Sequence, residues 1–137
     1  MEQPSADGAV ATARYFIELY MYALATGDLA TWRAMSADDC KMCNKVIAQV
    51  EGLAAQQHTV TTESLEFPAS SGMETVPLQS YGADLTVAQG AWTEHDASGA
   101  AVSSGPPATV QMFFALAWQG SSWLVRQVDV HEATPAS

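Results

Sequence analysis

Cys40-Lys41-Met42-Cys43 holds the only two cysteines of the chain, three residues apart where an amphipathic helix is expected to begin. Positions i and i+3 of a helix share one face, within reach of a disulfide. The same spacing also serves a redox-active dithiol or half of a zinc site. Zinc takes four N or S ligands in a structural site and three in a catalytic one. His58, His95 and His131 could join the thiols, but they fall on separate expected strands or turns without ligand spacing, so no metal is expected. A catalytic dithiol needs a lowered thiol pKa. The helix start and Lys41 favour that; Asp38-Asp39 beside Cys40 opposes it, and the segment follows a helix where a thioredoxin-like motif follows a strand. Two readings remain, reduced cysteines filling an apolar face and a disulfide locking the first helical turn. The disulfide is the expectation. Its loop is too short to contribute the roughly 3 kcal/mol of a loop of about 15 residues, yet it points to a compartment outside the cytoplasm.

Proton-transfer chemistry needs a carboxylate or imidazole set against a donor. Tyr15, Tyr20 and Tyr22 on the first helix supply phenols, and Asp84, Asp129 and His131 on strands supply bases. Asp129 and His131 share a strand face at i and i+2, close to the chain end, where a solvated edge is the expectation. Tyr20 and Tyr22 flank Met21 and cannot point the same way on a helix. Trp32, Trp92, Trp118 and Trp123 read first as core or rim packing. The sequence carries no Ser-His-Asp order, Gly-rich phosphate loop, His-Glu helix motif or Asp-rich calcium loop. No cofactor is implied.

The elements that must position these groups change character at His58. Before it, Val10, Ala13, Ile17, Met21 and Leu24 recur at helical spacing, with Phe16 and Tyr20 widening the stripe. Asp7-Gly8 is expected to open this helix and Gly27 to end it. Asp28 is expected to cap a short second helix through Leu29, Trp32 and Met35. Ser36, with Asp39 three residues on, is expected to start a third, whose stripe of Cys40, Cys43, Val46 or Ile47, and Val50 fades near Gln56-Gln57. After His58, Thr59-Val60-Thr61-Thr62 is β-branched. Ser70-Ser71-Gly72 and Pro77 are read as loops, and Leu85 to Thr93 as one strand. Asp96-Ala97-Ser98-Gly99 is a turn, and Ser104-Gly105-Pro106-Pro107 a break. From Thr109 to Trp118, Val110, Met112, Phe114, Leu116 and Trp118 face one way, with Gln111, Phe113, Ala115 and Ala117 opposite. Gln119-Gly120-Ser121-Ser122 then turns into Trp123 to His131 as a hairpin partner.

Helices followed by an antiparallel meander describe an α+β domain, with N-terminal helices packed on a curved antiparallel sheet. At 137 residues the chain makes one domain, of a size that hides roughly 65–70% of its unfolded surface. We expect a residual tether over 1–6, the domain over 7–132 and a C-terminal tail over 133–137. Fifteen acidic against five basic residues give a net charge of −10. That argues against nucleic acid and anionic membrane surfaces, which call for clustered Lys and Arg. No apolar run reaches the roughly 18–20 residues of a membrane span, and the N-terminus lacks the features of a secretory signal. For an exported protein, Met1 would be an expression start and Gln3-Pro4-Ser5-Ala6 the end of a polar tether.

The order of signals from Gly8-Ala9 through Ala13-Arg14-Tyr15-Phe16, Tyr22-Ala23-Leu24-Ala25-Thr26-Gly27-Asp28 and Met35-Ser36 to Cys40-Lys41-Met42-Cys43 resembles an uncharacterised actinobacterial lipoprotein family with a nuclear-transport-factor-2-like fold. The resemblance is specific over about residues 8–55 and general in the strands. It implies a helix-and-sheet cone and a location outside the cytoplasmic membrane. Attachment would run through an anchoring cysteine upstream of this sequence. It supplies no catalytic residues, and the fold itself hosts isomerases, dehydratases and noncatalytic binding domains alike. The expected function is therefore a noncatalytic envelope domain that binds a small apolar ligand or an envelope protein. The ligand-binding candidates are Tyr15, Tyr22, Trp92, Phe113 and Trp118, which join apolar area to polar handles. The alternative is a small isomerase or dehydratase with an Asp or His base in the cone. A homodimer through the mixed sheet face is a further expectation, by analogy with the fold.

Overall fold

The computed structural model describes residues 3–132. The first helix, α1, spans Ala6–Thr26 and starts just ahead of the expected Asp7 cap. Ser5 is the cap, its Oγ accepting the Gly8 N–H at 2.9 Å. Asp7 lies instead in the first turn, where a carboxylate meets the positive end of the helix. Within the stretch expected as a tether, Ser5 is the cap and Ala6 the first helical residue, whereas residues 1 and 2 and the expected tail over 133–137 lie outside the described residues. The helix ends at Gly27 as expected. Its φ of 80° is the left-handed conformation that glycine adopts without penalty, and its N–H returns to the Ala23 carbonyl at 2.7 Å.

The second helix, α2, spans Ala30–Met35, with the Asp28 carboxylate accepting the Ala30 N–H at 3.0 Å. The third, α3, spans Lys41–Ala55 and does not start at Ser36. Ser36 forms a parallel bridge with Val125, and the Ala37 N–H donates to the Val125 carbonyl at 2.9 Å. Those backbone groups are satisfied by the last strand, so the helix begins only at the cysteine pair. Cys40 is its cap, the sulfur accepting the Cys43 N–H at 3.2 Å.

Seven strands follow: β1 Thr59–Thr62, β2 Leu65–Val76, β3 Ser80–Gln89, β4 Trp92–His95, β5 Ala101–Gly105, β6 Ala108–Trp118 and β7 Trp123–Glu132. They form two antiparallel sheets and not one, a large sheet in the order β2-β3-β6-β7 and a small one in the order β1-β4-β5. The single strand expected over Leu85 to Thr93 breaks at Gly90-Ala91, which is where the chain passes from one sheet to the other. A Cβ on Gly90 would lie 2.5 Å from Ser64 Oγ, so only glycine fits that crossing. Ser70-Ser71-Gly72 is also no loop, because it continues through β2 against Leu85, Asp84 and Ala83. Likewise Ser104 and Gly105 finish β5, and the break is carried by Pro106-Pro107 alone. The expected alternation in β6 is present, with Met112, Phe114 and Leu116 buried and Phe113 and Ala115 exposed.

The three helices cover one face of the large sheet. Phe16 and Ile17 of α1, Trp32 of α2, and Val46 and Val50 of α3 meet Leu85, Phe114 and Val125 there in one core. Phe16 stacks on Trp32 with ring centroids 3.7 Å apart, and the Trp32 indole N–H donates to the Cys43 carbonyl at 3.1 Å. Each large apolar side chain so hidden is worth about 1.5–3 kcal/mol relative to exposure.

Candidate ligand-binding cavity

A cavity of about 260 Å³ lies where α1 and α3 diverge above the large sheet. Two helices and three strands supply its wall. From α1 come Ile17, Tyr20 and Met21, which at i, i+3 and i+4 occupy one face. From α3 come Met42, Lys45, Val46 and Gln49, again at one-turn spacing. The floor is Val87, Val110 and Met112, with Gln89 at the end of β3 and the half-exposed Val130 on β7 at the rim. Three of the wall residues are methionines, whose unbranched thioether chains adapt to irregular ligands.

The polar groups converge at the mouth. Tyr20 donates its phenol hydrogen to Gln49 Oε1 at 2.9 Å, bridging α1 and α3. Burial pushes the Tyr20 phenol above its ordinary pKa, against the opposing pull of the bond to Gln49. It therefore remains a protonated donor across the physiological range. Lys45 is the one charged side chain among the described residues of the wall.

The cysteine pair locks the first turn of α3, the helix that supplies one side of this wall. Cys40 and Cys43 form a disulfide with Cα atoms 5.2 Å apart, and both residues are fully buried. Trp32 holds the Cys43 carbonyl from one side and contacts the ring of Tyr20 from the other, with centroids 5.9 Å apart. The bridge is thus a core element, with no sulfur presented to solvent for exchange chemistry.

Tyr15, Tyr22, Trp92, Phe113 and Trp118 are not gathered into one site, although Tyr15 and Tyr22 share a cleft beside α1. Tyr15 and Tyr22 are exposed on the outer side of α1 and border more open clefts, and Tyr22 donates to Asp28 at 3.2 Å. Trp92 lies in the small sheet against Gly105, where an added Cβ would strike the indole at 2.2 Å. Trp118 packs edge-on to Trp123, centroids 5.3 Å apart. Phe113 sits on the opposite face of the large sheet, 46% exposed, between Asp84 and Asp129 in the cross-strand register. Asp84, which accepts from the Gln111 amide, and the exposed Asp129 and His131 share that outer face. Of the phenols considered, Tyr20 is the one in the cavity, and the carboxylates expected to face it are across the sheet.

Tyr20, Met42, Lys45 and Gln49 carry no motif. Their trace in the sequence is geometric: they are the margins of the apolar stripes of α1 and α3, the positions that face a neighbouring helix without reaching the core.

The sequence profile of a family of unknown function, DUF6318, matches residues 1–129. The chain belongs to that family. No functionally curated protein matches the sequence of this DUF6318 domain. Solved structures match its fold at low identity. The intermembrane space region of the chloroplast protein ARC6 aligns with a TM-score of 0.64 at 11% identity, covering 90% of this chain and 97% of that one. An uncharacterised protein with a cystatin-like fold from Caulobacter vibrioides aligns at 0.54 and 14% identity, covering 93% and 92%. Aln2 from a Streptomyces species aligns at 0.56 and 14% identity, covering 96% and 94%. These likenesses assign the DUF6318 domain to the mixed α+β architecture of cystatin-like folds and carry no activity to it.

Proposed function

We propose that this domain is a noncatalytic binding module of an actinobacterial cell-envelope lipoprotein, taking a small apolar ligand into the cavity beside α1 and α3. The observation that carries the reading is the wall itself, a half-open and mainly apolar hollow with a few polar groups, Tyr20, Lys45, Gln49 and Gln89, a composition usual for a small-molecule site. Its 260 Å³ lies just under the roughly 300–1,000 Å³ of ordinary ligand pockets, which calls for a small ligand. In this reading the cavity is the interior of a helix-and-sheet cone. The rival reading, an isomerase or dehydratase, needs a base against Tyr20, and Asp84, Asp129 and His131 stand on the far face of the sheet. The extracytoplasmic setting and the lipid anchor rest on the sequence resemblance, with support from the disulfide.

Two measurements test the two halves of this reading. With methionine methyls labelled for NMR, 1-octanol should shift the signals of Met21, Met42 and Met112. Met73, exposed on the outer sheet face, should stay put. Shifts at Met73 with none at the three wall methyls would end the cavity reading. For the compartment, protein prepared without reductant should weigh two hydrogens less than after reduction under denaturing conditions. Equal masses would remove the argument for an oxidising environment.

A further inference from the structure

We infer that the ligand of this cavity carries a carboxylate head on a short apolar tail, the tail against Val87, Val110 and Met112 and the carboxylate beside Lys45 and Gln49 at the mouth. This inference rests on the ligand-binding reading above and adds the chemical class of the ligand to it.

The first ground is the distribution of charge. The chain has 15 acidic residues and 5 basic ones, so a surface depression drawn at random should carry carboxylates. The neighbouring clefts do. Glu18 lines both clefts beside α1, and Glu63 and Glu66 line the one near Gly90. The cavity departs from this pattern, holding an ammonium and no carboxylate among its described wall residues. Nor is that ammonium committed elsewhere. Arg33 is paired with Glu51 at 2.7 Å, whereas Lys45, like Lys41 and Arg126 outside the cavity, enters no ion pair among the described residues.

The second ground is the hydrogen-bond inventory of the mouth. Tyr20 gives its hydrogen to Gln49 Oε1, filling one of that oxygen's two lone pairs. Gln49 keeps its NH2, which only donates, beside the remaining lone pair of its oxygen, and the Lys45 ammonium only donates. Two donors side by side call for an acceptor, and an anionic acceptor is bound most strongly. Lys45 and Gln49 stand at i and i+4 on α3, neighbours on one helix face, so a single carboxylate can span both. A neutral ligand would leave the ammonium unused, and a cationic one would be repelled.

The test uses the full chain and three probes of equal tail length, octanoate, 1-octanol and octyltrimethylammonium, titrated at neutral pH and low salt while the methyl signals of Met21, Met42 and Met112 report occupancy. Octanoate is expected to bind about three- to tenfold more tightly than octanol, the scale of a charge-assisted contact at a solvated rim. The cation should bind most weakly. Lys45→Gln, at an exposed helical position where folding is not at risk, should bring octanoate down to the affinity that octanol shows for the same variant. Equal binding of octanoate and octanol, or a preference for octanoate that survives Lys45→Gln, would overturn the carboxylate inference while leaving the ligand-binding reading standing. Failure of all three probes to move the wall methyls would overturn both.

Discussion

Trp32→Ala is expected to cost about 3–5 kcal/mol, the range for removing a large buried aromatic side chain. Trp32 is 1% exposed and joins all three helices. Its ring stacks on Phe16 of α1, its N–H holds the carbonyl of Cys43 at the start of α3, and its edge meets Tyr20 at the cavity. Truncation therefore opens a void where the helices converge. Against a typical total of about 5–15 kcal/mol, such a loss is a large fraction of the stability of a domain this size. Trp32→Phe separates the contributions. It keeps most of the stacking area and loses the hydrogen bond, worth about 1 kcal/mol, so it should fall well short of the alanine variant. Urea unfolding of the two variants beside the parent protein reads both numbers. A loss below about 1 kcal/mol for Trp32→Ala would mean that the helical layer is not held together at this ring.

The parts of the fold that were legible in the sequence are those set by local chemistry. Gly27 ends α1 because a left-handed residue was needed there, and β6 alternates because one face is buried. What was not legible depends on partners distant in sequence. Ser36 looked like a helix cap, but the edge of β7 takes its backbone. Ser70-Ser71-Gly72 looked like a loop by composition, yet it is strand because β3 pairs with it. Leu85 to Thr93 looked continuous, and only the approach of Ser64 to Gly90 explains the break.

The candidate site was legible to a smaller degree, for a related reason. Tyr15, Tyr22, Trp92, Phe113 and Trp118 were chosen for residue type, and large aromatic side chains serve equally as core, rim and surface. The cavity wall is built from stripe margins, where a tyrosine, a lysine and a glutamine are ordinary helix residues until two helices diverge around them. Helical spacing places Met42, Lys45 and Gln49 on one face of α3. It does not say that α1 turns Tyr20 toward that face, because the packing of the helices depends on contacts such as those of Trp32 and on the sheet beneath.

The same chemical change, glycine to alanine, should have opposite effects at two positions of this chain. Gly72 lies mid-strand in β2, where glycine often marks a close approach of another backbone. Here the approaching chain is the start of α1. A Cβ on Gly72 would sit 2.4 Å from the Ala6 carbonyl oxygen and 3.0 Å from Val10 Cγ2. Backbone cannot rotate aside as a side chain can, so Gly72→Ala must lift the first turn of α1 or displace β2, at about 1–3 kcal/mol. The damage should be local at first. The Gly8 N–H, held by Ser5, and the Ala9 N–H, held by the Ser5 carbonyl, should exchange faster with solvent than in the parent protein. Gly52 is the control. It lies exposed in α3 with nothing within 4 Å of its added Cβ. There alanine should stabilise by about 0.5–1 kcal/mol through reduced backbone entropy of the unfolded chain. Paired urea titrations check the signs, and amide exchange checks the location. A neutral Gly72→Ala with unchanged exchange at Gly8 and Ala9 would mean that α1 does not rest on β2 as closely as the Ala6–Gly72 approach requires.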